Sequence, residues 1–117
     1  MSDEAQIVDV TITAPDVEWL AEHCRYLIEQ RLAASANIIP AIKSIYRWQG
    51  NIEEGSEAYA ILHTRAEHVD EITRHTCATH PYDTVHILAI EISDYDPNYG
   101  AWVLAETKAP GSAQPSP

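Results

Sequence analysis

Six histidines are the main chemical resource of this 117-residue chain, because neutral imidazole is the commonest protein ligand for copper and zinc. His80 opens the run His80-Pro81-Tyr82-Asp83 at a helix-to-strand junction, where a ring can reach both a cleft and a neighbouring chain. His86 follows on the next strand, alternating with Leu88, and His63 lies near the end of a long hairpin arm. Asp83 could add an oxygen ligand, so His80, His86, His63 and Asp83 form the candidate metal set, for copper or zinc. His23, His68 and His75 sit in helical patterns beside Glu22, Glu67 and Arg74 and read as a solvated face. An isolated strand histidine is also commonly a packed, hydrogen-bonded residue, and that is the competing reading.

Other chemistry is poorly supplied. Ser35 and Ser44 have no adjacent base, the four glycines form no phosphate-binding loop, and Cys24 and Cys77 sit within helical patterns without metal-type spacing. Both cysteines are expected to be small buried hydrophobes. Tyr46, Trp48, Glu57, Tyr82 and Trp102 are candidates for a ligand cleft or a subunit interface. Tyr46, Glu57 and Tyr82 could serve as acid or base, but without a recognisable nucleophile the reading is non-enzymatic.

These residues are positioned by a legible series of elements. The run Ile7 to Thr13 reads as a strand, and Val17, Leu20, Ala21, Cys24, Leu27 and Ile28 recur at helical spacing up to about Leu32. Thr13 with Asp16, and later Thr64 with Glu67, match capping boxes. Ala36 to Trp48 and Ile52 to His63 make one long hairpin around Gln49-Gly50-Asn51, with arms of roughly 40 Å at about 3.3 Å per residue. Edges of that length invite another subunit. A helix over Ala66 to Thr79, a buried strand over Val85 to Ser93 and a closing helix over Pro97 to Thr107 complete the chain. The order β-α-β-β-α-β plus a C-terminal helix is the ferredoxin-like split βαβ form of an α+β fold. In that sheet the first strand separates His63 from the last strand, by about 10 Å between backbones, so two imidazoles could share a metal only from one face.

Composition sets the outer limits. The length fits one domain, drawn as a flexible 1–6, a folded 7–108 and a disordered tail 109–117 rich in proline. Eighteen acidic against seven basic residues give a formal charge of −11, which disfavours nucleic acid and anionic membrane surfaces. No apolar run approaches the length of a membrane span, and the acidic start MSDEAQ lacks the features of a secretory leader, so cytoplasm is the expectation.

The segments TAPD (13–16), RLAA (31–34), NIIP (37–40), SIYRWQG (44–50), IEEGSE (52–57), HPYD (80–83) and NYGAWV (98–103) closely resemble those of the CutA family. That resemblance covers nearly the whole ordered chain. It implies a subunit similar to the PII signalling proteins, assembled as a homotrimer in which long hairpins pair across subunits. It also implies a cytoplasmic, non-enzymatic role in divalent-metal tolerance, or a scaffold role, since related animal forms look like partners of a membrane-anchored esterase. The family's copper site uses a cysteine just before TAPD and paired histidines before PY. Here those positions hold Ile12, Thr79 and His80, so only His80 is retained. Ser35 stands where a cysteine commonly follows RLAA, while His63 and His86 replace a usual lysine and glutamate. Thiols are lost and imidazoles gained, which favours imidazole-liking ions over thiolate-bound copper(I). Any metal is expected to bind weakly or at a different site, and none is required for folding.

Overall fold

The structure, a computed structural model, describes residues 6–109; most of the proposed flexible start and tail falls outside that range. Strand β1 (Ile7–Ala14) alternates in function as well as direction. Val8, Val10 and Ile12 are buried under the helices, while Asp9, Thr11 and Thr13 point to the other face, as the period of two requires. Helix α1 (Val17–Glu29) buries Leu20, Cys24 and Leu27, and α2 (Val69–Thr79) adds Ile72 and Thr76 after a 3-10 turn at Ala66–His68.

Strands β2 (Ser35–Trp48) and β3 (Asn51–Arg65) form the long hairpin, and β4 (Ile87–Glu91) completes a sheet of order β2-β3-β1-β4. Every pairing is antiparallel, so the expected ferredoxin-like α+β topology is present. Two residues turn the hairpin: Gln49 at φ 50° and Gly50 at φ 85°, the left-handed pair that matches strand twist. The register shifts between Ile39 and Ile42, around Pro40, which has no N–H to give the ladder. Radius of gyration is 15.3 Å, against about 13 Å for a compact 100-residue domain. The hairpin overruns the body.

Several sequence expectations require correction. Helix α1 stops at Glu29 rather than Leu32, because Arg31 turns left-handed at φ 61°. Its N–H donates to Ile28 O and that of Leu32 to Leu27 O, which ties off the last carbonyls. Neither capping box forms: Asp16 caps α1 by accepting from Glu18 N–H, and Thr64 lies in β3, donating its hydroxyl to Leu32 O. Cys24 is buried, but Cys77 is exposed on α2. His23 and His68 are buried rather than solvated; each has a hydrogen-bond partner that lets an imidazole enter the interior. The last strand is short, and Leu88 (57%) and Ile90 (50%) remain exposed within the single chain. Helix α3 (Pro97–Glu106) begins as expected, with Asp96 accepting from Tyr99 N–H.

Candidate functional site

Between the hairpin and the turn after α2 lies a cavity of about 840 Å³. Alternation on β2 sends Tyr46 and Trp48 into it, β3 contributes Glu57 and Tyr59, and the turn adds Tyr82, Asp83 and His86. Tyr82 has its phenol held above the ordinary range, by burial first and then by Glu57 and Tyr46, because burial and nearby negative charge both oppose the phenolate. Six residues chosen from sequence therefore share one cleft: Tyr46, Trp48, Glu57, Tyr82, Asp83 and His86. Trp102 does not. It sits on α3 with its ring 5.6 Å from that of Tyr99.

The histidines are placed differently. His80 is buried, its Nε2–H donating to Thr13 O at 2.8 Å while Nδ1 accepts from Tyr82 N–H at 3.0 Å. Both ring nitrogens are used, so this ring fixes the Pro81–Thr84 turn against β1. His63 Nδ1 lies 2.6 Å from Asp9 Oδ1, to which it donates, and Nε2 lies 2.8 Å from the Asn37 side-chain amide. It clamps three strands together. His86 Nε2 lies 3.0 Å from Thr11 Oγ1, with the ring edge-on to Tyr59. Since Asp9 and Thr11 share one face of β1, His63 and His86 do meet the same-face condition, but each ring turns to its own partner. Among the described residues no three His, Cys, Asp or Glu side chains are grouped to hold a metal ion.

Sequence reasoning passed over Tyr59, although its spacing of two from Glu57 on a strand would have found it. It also passed over a second hollow, of about 310 Å³, on the helical side, lined by Trp19, Glu22, His23, Tyr26, His75 and Thr79. Here Trp19 stacks on His23 with centroids 4.9 Å apart. Thr76 donates its hydroxyl to Ile72 O, so His23 Nε2–H must donate to Thr76 Oγ1, at 2.7 Å. Burial, reinforced by the imidazoles of His75 and His80, pushes the His23 pKa down to about 4. His68, whose Nε2–H donates to Lys108 O at 2.7 Å, is also lowered, chiefly by burial. The thiol of Cys24 is pushed up to about 11 by burial, which makes it unreactive.

The sheet order, the two covering helices and the overlong hairpin beside a tyrosine-rich cleft define a small ferredoxin-like α+β chain. The family described as CutA1 divalent ion tolerance protein matches residues 8–106, and the chain belongs to that family. Protein CutA of Mus musculus is 36% identical over 98 residues, 84% of this chain and 55% of that protein. The divalent-cation tolerance protein CutA of Thermus thermophilus is 35% identical over 98 residues, 84% of this chain and 95% of that protein. Among solved structures, CutA1 from Oryza sativa superposes with a TM-score of 0.86 at 31% identity, covering 92% of this chain and 98% of that one. The chain spans about half the length of the mouse and human relatives it matches. No helix among the described residues is long and apolar enough to cross a membrane.

Proposed function

We propose that this protein works as a cytoplasmic, non-enzymatic homotrimer in divalent-cation tolerance, meeting copper or zinc weakly at the cleft through His86 and Asp83. The observation that carries the metal part is the joint presence of His86 and Asp83 in the cleft wall, with no hydrogen bond to His86 Nδ1 among the described residues. An imidazole nitrogen and a carboxylate on one cleft wall are ligand types that suit both ions. His80 then acts indirectly, by holding the turn that carries Asp83. The membership in a divalent ion tolerance family supports the physiological role. Trimerisation is supported by apolar surface that a single chain leaves in water at two places, Ile45 and Ile52 near the hairpin tip and Leu88 and Ile90 on β4, each at least half exposed.

A second reading has its own support. A cavity of about 840 Å³ falls within the range of small-molecule sites, roughly 300–1,000 Å³, and its aromatic walls suit a PII-like binding or scaffold role for a small ligand or a protein partner. Calorimetric titration of copper(II) and zinc separates the two. The metal reading expects binding that His86→Ala and Asp83→Asn weaken about tenfold or more, while His80→Ala weakens it less. Unchanged or absent metal binding would sink that reading and leave the ligand cleft.

A further inference from the structure

The helical side of the molecule carries a second pair of imidazoles, on residues other than those at the family's copper positions. His23 comes from α1 and His75 from α2, and both line the 310 Å³ hollow, which shares no lining residue with the cleft. The orientation of His23 is fixed three times over. Trp19 stacks on one face, Thr76 accepts from Nε2–H, and Thr76 is itself locked by Ile72 O. That hydrogen bond decides the tautomer, so the lone pair must reside on Nδ1, which has no hydrogen-bond partner among the described residues. No polar side-chain atom of the described residues is both buried and unsatisfied, so Nδ1 must reach solvent. A metal-ligating imidazole is commonly prepared in this way, with its other N–H donated to a protein oxygen.

The second ring is held less firmly. His75 meets the edge of Tyr26 with centroids 5.4 Å apart. Its Nε2 lies 3.8 Å from Glu71 Oε2, one helical turn earlier, too long for a hydrogen bond. No hydrogen bond among the described residues holds its ring. Glu22 is the one carboxylate in the wall of the hollow and no lysine or arginine lines it, while Glu71 beside His75 is paired with Lys108.

We infer that this hollow is a second cation site, binding an imidazole-preferring divalent ion, copper(II) or zinc, through His23 Nδ1 and the His75 ring. With two protein nitrogens the remaining positions belong to water, so the site is weak and exchangeable, suited to sensing or buffering rather than to permanent structure. It is independent of the cleft, because none of its ligands lies there.

The test titrates copper(II) alone into the full chain, by calorimetry and by electron paramagnetic resonance, for the wild type, His75→Ala, His86→Ala and Thr76→Val. The expected result is a binding event with nitrogen hyperfine structure that persists in His86→Ala and weakens about tenfold or more in His75→Ala. Thr76→Val should weaken it as well, since it frees the His23 tautomer while keeping the side-chain shape; it replaces His23→Ala, which risks unfolding the helix layer. Copper binding in His75→Ala equal to wild type overturns the site. Binding lost only in His86→Ala also overturns it and leaves the cleft reading standing, whereas no copper binding by the wild type overturns both.

Discussion

The two faces of the sheet meet opposite fates although the same strands build both. On the helical face Val8, Val10, Ile12, Ala60 and Leu62 are closed over by Leu20, Leu27 and Ile72, leaving a core complete within one chain. On the open face, Asp9 and Thr11 are bonded to His63 and His86, yet Leu88 and Ile90 beside them lie in water. The register shows the contrast at single-residue resolution: Asp9 pairs with His63 on one side and Ile90 on the other, Thr11 with Ile61 and Leu88. Asp9 and Thr11 of that face are paired locally, but its apolar groups are not. A face built this way can be covered by another subunit with the carboxylate and hydroxyl of β1 already partnered.

Breaking the open face should have the largest effect. Leu88→Asp places a charge among the exposed apolar residues, and light scattering should fall from about three times 13.0 kDa to the 13.0 kDa of one chain. A wild-type mass of 13.0 kDa would remove the assembly argument altogether. On the covered face the damage is to folding: Leu62→Ala, at a fully buried position, should lower unfolding free energy by about 2–5 kcal/mol in a denaturant titration. A smaller and reversible effect distinguishes the helix layer. His23 is driven down from 6.5 to about 4 in the folded chain, so between those values the unfolded chain binds the extra proton. Stability is complete above pH 6.5, falls as the pH drops, and the loss levels off below pH 4 at about 3–4 kcal/mol, at about 1.4 kcal/mol per unit. Denaturation midpoints at pH 7, 5.5 and 4 should follow that curve, and His23→Gln should flatten it. His68, lowered in the same direction, adds to the slope.

Much of this was readable from the chain. The run of β-branched residues, the helical spacing of Leu20, Cys24 and Leu27, and the hairpin around Gly50 each reflect local periodicity, and each appears where expected. The cleft was also partly legible, because Tyr46 and Trp48 alternate on one strand and Tyr82 and Asp83 occupy one turn. The histidines were misread in both directions. His23 and His68 looked solvated because charged residues flank them in sequence, but their partners, Thr76 and the Lys108 carbonyl, lie 53 and 40 residues away. His80 looked available because its junction is open, but Thr13 O and Tyr82 N–H occupy both nitrogens.

The amino-acid order by itself determined the elements, their succession and hence the split βαβ sheet, since periodicity and turn chemistry act over a few residues. It also determined that thiol ligands are absent where Ile12 and Ser35 stand. Which imidazole nitrogens are spent and which are free was decided only by the tertiary structure. A hydrogen bond depends on distances of about 3 Å between atoms that folding brings together from distant points of the chain, and no local pattern records them.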